Sequence, residues 1–229
     1  EVIAGMKGTS AAAPKATASN GAIPKTSRVA LLTKTEQFEI KEYPIPEIGD
    51  DDILVKVEGC GICGTDVHEY RYNPFGYKEI VLGHEGTGEV VAIGEGVTTD
   101  TKGDPIKVGD KLVTSVISCG ECQICRNHPA NTNLCDKQGV FGLIGHNDAQ
   151  PLNGWFATHM LIRGKGATYF VVNDLDLKGE VVPLLVGEVV NSDRGGICAS
   201  HNEVIARVPS VIPQAHVISS SGCTNAFDL

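Results

Sequence analysis

No apolar run in this chain approaches the ~18 residues that a membrane-spanning helix needs. The longest is the short VVPLLV at Val181–Val186. Clusters of Lys and Arg are also missing. The chain sets 19 basic against 28 acidic residues, a formal net charge of −9, which argues against nucleic acid or an anionic membrane surface as a partner. The first residues, EVIAGMKGTSAAAPKATASNG, lack the uninterrupted apolar core of a secretory signal. They are rich in Ala, Ser, Thr, Gly and Lys, so residues 1–27 are expected to form a flexible tail or linker. A chain starting on Glu1 reads as a fragment or a processed product. No internal repeat is visible.

What the chain does have is cysteine. There are eight, and five fall between Cys63 and Cys135. A secreted disulfide protein is the plain reading of such a count. The length of 229 residues, the 41% apolar composition and the missing signal stand against it. Cys119, Cys122 and Cys125 follow one another at a spacing that cannot easily pair within itself and that suits metal ligation. The expected compartment is reducing and cytoplasmic.

Residues 28–34 (RVALLTK) and 37–42 (QFEIKE) read as a hairpin. Apolar and polar side chains alternate from Ile53 to Val57, as in a half-buried strand. GEVVAIGEGV, VGDKLVTSV, GWFATHMLI and YFVVN are further β-rich runs, punctuated by Gly, Asp and Pro. Closely spaced strands without long helices predict a mainly β, barrel-like domain. Residues 179–229 are β-branched and strand-like and carry Cys198, His201, His216 and Cys223 at irregular spacing. They stay unassigned.

The stretch ILVKVEGCGICGTDVHEY holds a G-x-G-x-x-G at Gly59, Gly61 and Gly64. As a dinucleotide fingerprint it needs an amphipathic helix opening at the third glycine. The following TDVHEYRYNPFGYKEIV has no apolar stripe at helical spacing, and Pro74 and Gly76 would break a helix within about ten residues. The rival is metal. Cys63, with His84 and Glu85 of GHEGTG, offers thiolate, imidazole and carboxylate, the mixed set of a catalytic zinc with a position left open. The glycines around Cys63 then serve to turn the backbone sharply. Downstream, Cys119, Cys122, Cys125 and Cys135 offer four thiolates for a closed structural Zn²⁺ shell, with Gly120 easing the first turn. An iron–sulfur cluster is the competing occupant, since four cysteines serve it too.

GCGICGTDVHEY, VLGHEGTGEVVAIGEGV, VGDKL, CGECQIC and GWFATHMLI occur in that order. Together they resemble the zinc-dependent medium-chain alcohol and polyol dehydrogenases, the sorbitol and threonine dehydrogenase branch above all. The resemblance runs over about residues 28–178. It implies a GroES-like catalytic domain, a partly open β-barrel with a small zinc-binding lobe. It further implies that Cys63 and His84 ligate the catalytic zinc, with Glu85 as the adjacent carboxylate. By the same resemblance Thr65 passes on the substrate proton and His68 is the outlet to solvent. Zinc lowers the pKa of an alcohol, and hydride passes to NAD or NADP. The implied substrate is a small alcohol or polyol, and relatives of this type are dimers or tetramers. The family's third catalytic-zinc ligand falls where Glu180 and Glu188 are the nearest candidates. The family also places a Rossmann domain after the position of Leu177, where about fifty residues remain here and one βαβ unit alone takes ~30. The expectation is therefore a chain without a full Rossmann domain. The alternative is a domain-deleted, non-catalytic zinc-binding module of the same family.

Overall fold

The computed structural model describes residues 17–18, 23–128, 131, 134–145, 150–163, 166–173 and 215–216. Expectations for Glu180, Glu188, Cys198, His201 and Cys223, and for most of 1–27 and 179–229, lie outside the described residues. The described part is mainly β, as its patterning predicts. The strands are β1 (Thr17–Ala18), β2 (Thr26–Lys34), β3 (Gln37–Pro44), β4 (Ile53–Gly61), β5 (Ile80–Val81), β6 (Glu85–Ile93), β7 (Lys111–Ile117), β8 (Gly139–Val140), β9 (His159–Ile162), β10 (Ala167–Val171) and β11 (Ala215–His216). Two short helices interrupt them, α1 (Gly64–Tyr72) and α2 (Gln123–Asn127). Neither is long and apolar enough to cross a membrane.

One curled, half-barrel sheet runs in the order β10-β7-β6-β4-β11, with β1 on β6, β8 on β7 and β9 on β4. The β2–β3 hairpin and β5 form a second sheet. The hairpin appears where the sequence predicts it, with Val29 to Leu32 of β2 all buried. β4 departs from the half-buried expectation. Leu54 is as buried as Ile53, Val55 and Val57, and of these five residues only Lys56 is exposed. β4 lies inside the sheet between β6 and β9, both antiparallel to it.

The β4–β6 register matters most for function. Cys60 stands opposite Gly86, and Gly61 opposite Glu85. Carried a few residues further, β4 delivers Cys63 beside the segment that holds His84 and Glu85. Trp155 and Phe156 cross under that segment, donating from their backbone amides to the carbonyls of Gly83 and Leu82 at 3.0 Å each. Trp155, Tyr70, Phe141 and Phe156 are the largest fully buried side chains. The Trp155 ring lies on Gly86, where an added Cβ would come within 2.0 Å of Cδ2. Its Nε1–H donates to Thr114 Oγ1 at 3.0 Å.

A helix does open at Gly64, contrary to the absence of an apolar stripe. Its buried residues are Asp66, Val67, Glu69 and Tyr70. The buried face thus has helical spacing, but half of it is carboxylate, so hydropathy cannot show it. The helix ends at Asn73, which adopts the left-handed conformation, just before Pro74. Tyr70 fastens it to the hairpin turn: its hydroxyl donates to Glu36 O at 2.9 Å, and its carbonyl accepts from Glu36 N at 2.7 Å.

Candidate metal centres

Cys63 is the residue before α1, in extended conformation. His84 and Glu85 sit where β6 begins. One ligand atom from each of Cys63, His84 and Glu85 lies within 4.8 Å of the other two. That bound is compatible with the ~4 Å that Zn–S and Zn–N bond lengths set for a sulfur and a nitrogen on one ion. Cys63 and Glu85 are 4% and 2% exposed. Glu85 Oε2 is buried and has no hydrogen-bond partner among the described residues. A buried carboxylate oxygen in that state costs free energy unless a cation or donor reaches it. Burial pushes the Glu85 carboxyl up, with His84 opposing and Asp66 adding to the rise. Burial also works against the charged form of His84, but Asp66 and Cys63 outweigh it and raise the imidazole well above its usual value. A buried carboxylate oxygen without a partner, converging with an imidazole and a thiol, suits a shared cation.

Asp66 organises this centre and was not singled out in the sequence. It is fully buried. Its Oδ2 accepts from Cys63 N at 2.9 Å, and its Oδ1 from Gly83 N at 3.0 Å. One carboxylate therefore pins the backbone at Cys63 and the backbone just before His84. Its Oδ1 also lies 3.4 Å from His84 Nδ1, outside hydrogen-bond geometry, so it acts on the ring mainly through charge. The legible signal was an acid three residues after Cys63, the position where a capping box returns to the N-cap amide.

Thr65 and His68 are three residues apart on α1 and so neighbour each other on the helix surface. Thr65 Oγ1 lies 3.8 Å from Cys63 Sγ. His68 is exposed, its ring edge-on to Tyr72 at 6.1 Å between centroids. The fingerprint glycines do join a strand to a helix. However, β4 is antiparallel to β6 and β9 rather than part of a βαβ unit. The N-cap amide of Cys63 already donates to the Asp66 carboxylate. A pyrophosphate there would meet a buried negative charge.

The second centre is the cysteine lobe. The sulfurs of Cys119, Cys122, Cys125 and Cys135 all lie within 4.8 Å of one another. Cys119 Sγ and Cys125 Sγ are 4.0 Å apart. Two thiolates on one tetrahedral ion with ~2.3 Å bonds stand about 3.8 Å apart, whereas a disulfide needs ~2.05 Å. A cluster of several irons and sulfides would hold the four sulfurs further from one another. Backbone amides point at the sulfurs: Cys119 N at Cys135 Sγ (3.3 Å), Cys122 N at Cys119 Sγ (3.3 Å) and Cys125 N at Cys122 Sγ (3.4 Å). Gly120 supplies the turn with φ of +70°, a conformation other residues rarely adopt. The amides of Cys125 and Asp136 pull the Cys122 thiol down to about 6. Burial and then Cys122 push Cys125 up to about 12. Ionising one sulfur thus holds the proton on its neighbour, a conflict that a divalent cation at the centre removes.

Known proteins resemble this chain in sequence and in fold. A sorbitol dehydrogenase of Bacillus subtilis (strain 168) is 36% identical over 118 residues, 49% of this chain and 31% of that protein. An L-threonine 3-dehydrogenase of Caldanaerobacter subterraneus subsp. tengcongensis is 40% identical over 113 residues, 47% of this chain and 30% of that protein. A solved alcohol dehydrogenase from Thermotoga maritima superposes with a TM-score of 0.62 at 27% identity, covering 86% of this chain and 59% of that one. The chain spans about a third of the length of these two curated relatives. Residues 49–173 match the alcohol dehydrogenase GroES-like domain. With more than half of its length in that match, the chain belongs to the alcohol dehydrogenase GroES-like domain family.

Proposed function

We propose that this chain forms the catalytic domain of a zinc-dependent, NAD(P)-linked dehydrogenase acting on a small alcohol or polyol. The convergence of Cys63, His84 and Glu85 in a buried setting carries the reading. Zinc held there supplies a Lewis acid that makes an alcohol hydroxyl easier to deprotonate. Cys63 and His84 are the ligands whose placement Asp66 secures, and Glu85 is the carboxylate that can join them. Thr65 Oγ1, beside Cys63 Sγ, takes the substrate's hydroxyl proton. His68, one helical turn further along α1 and exposed, releases that proton to water. The surrounding apolar wall, with Trp155 and Phe156 behind the His84 segment, keeps bulk water from the reacting groups. The lobe at Cys119, Cys122, Cys125 and Cys135 holds a second zinc with no open position and serves stability.

Cobalt substitution tests the reading without requiring turnover. The Cys63 centre should show visible ligand-field bands that shift when an alcohol or polyol is added. Cys63→Ser should abolish the response and leave the tetrathiolate spectrum of the lobe. A protein whose only cobalt signal is the tetrathiolate one, insensitive to alcohols, would overturn the assignment.

A further inference from the structure

Cys119, Cys122 and Cys125 are half-exposed, and Cys135 is buried. The 4.0 Å between Cys119 Sγ and Cys125 Sγ would have to shrink by about 2 Å to reach a disulfide bond length. Little in the fold resists that movement. The turn at Gly120 has open space around it, and α2, which carries Cys125, has five residues and buries none of them. Backbone amides of Cys122 and Cys125 point at Cys119 Sγ and Cys122 Sγ at 3.3 and 3.4 Å. Cys63, in contrast, is 4% exposed and is the single thiolate of its candidate shell.

We propose that the lobe is a peroxide-sensitive clasp, in which a hydroperoxide closes a disulfide between Cys119 and Cys125 and the metal leaves. The inference rests on the zinc reading of the lobe. In the first step one thiolate attacks a peroxide oxygen: an S–O bond forms, the O–O bond breaks, and hydroxide leaves. The second thiolate then attacks that sulfur: the S–S bond forms, the S–O bond breaks, and a second hydroxide leaves. The two thiolates give up two electrons, the peroxide gains them, and two protons from solvent complete two waters when the oxidant is hydrogen peroxide. Two remaining thiolates cannot keep a closed tetrahedral shell, so zinc departs and the loop from Cys119 to Cys135 loses its anchor. A thiol reductant and zinc restore it. The Cys63 centre cannot lose two thiolates to one disulfide and should keep its metal.

The test uses the zinc-loaded full chain. Metal content is measured first, and absence of lobe zinc at that stage refutes the zinc reading itself. Hydrogen peroxide is then titrated in with a colorimetric chelator, in parallel with thiol counting and peptide mass mapping. The expected result is loss of about half of the bound zinc and a disulfide mapped between Cys119 and Cys125, both reversed by dithiothreitol and added zinc. In Cys63→Ser, which retains the lobe metal alone, peroxide should release all of the zinc. Zinc retained under peroxide, zinc lost without a disulfide, or a disulfide that includes Cys135 or Cys63 would overturn the proposal.

Discussion

Asp66 ties two backbone amides that flank the proposed ligands, and its loss should be felt at the metal before it is felt elsewhere. In Asp66→Ala the amides of Cys63 and Gly83 lose their acceptor, and His84 loses its counter-charge. Zinc affinity at the Cys63 centre should fall about 10–100-fold, the usual effect of removing a group that orients a ligand. Competition against a chromophoric chelator measures it, and an unchanged affinity would show that Cys63 and His84 are positioned without Asp66. Asp66→Asn should do nearly as much harm, because its amide group presents N–H where a backbone N–H already points. Gly86 has a steric role. A methyl there meets the Trp155 ring at 2.0 Å, and that ring is fully buried with its indole N–H committed to Thr114. Gly86→Ala should cost about 1–3 kcal/mol or more by overpacking, read in urea unfolding. Trp155 is the chain's only tryptophan, so its emission should change in the same variant.

At the scale of elements, β9 contributes a titrating group well away from the cysteines. His159 stands opposite Lys56 on β4. Burial, and then the Lys56 charge, hold its imidazole below the usual value. The folded state therefore binds fewer protons here than the unfolded one. The stability it contributes is fully present above the unfolded pKa of about 6.5, and is lost as pH falls through the lower folded value. His159→Gln should remove this share of the pH dependence, so its urea midpoint should fall less than wild type's between pH 7.5 and pH 5. Equal slopes would count against the account. The same elements show what could be read beforehand. The β2–β3 hairpin was legible because two short β-rich runs, residues 28–34 and 37–42, are separated by only two residues. The convergence of Cys63, His84 and Glu85 and of the four lobe cysteines was legible because these residue types carry ligand chemistry directly in the letters. Helix α1 was not, because Asp66 and Glu69 occupy its buried face and pay for that burial with specific bonds, Asp66 to Cys63 N and Gly83 N, Glu69 Oε1 to Phe75 N at 3.0 Å. Leu54 misled in the opposite direction, since the covering of both faces of β4 is a tertiary fact.

At the scale of the whole molecule, the question is whether these residues can hold a nicotinamide cofactor by themselves. A hydride acceptor must be placed with its reactive carbon close to the substrate carbon, and that placement supplies much of the rate. The described residues contain one strand–turn–helix glycine loop, Gly59 to Gly64, and it is committed to presenting Cys63. The fully buried Asp66 carboxylate holds the N-cap amide of Cys63, and the chain carries a net charge of −9, so a pyrophosphate there meets negative charge. Calorimetric titration of NAD⁺ and NADP⁺ into the zinc-loaded 229-residue protein should therefore give no heat of binding, and alcohol or polyol oxidation should be undetectable, while the cobalt-substituted protein still responds to alcohols. That combination would separate a metal centre that is built from a cofactor site that this part of the fold does not supply. Binding in the micromolar range would show that residues outside those described, or a second copy of the chain, complete the cofactor site.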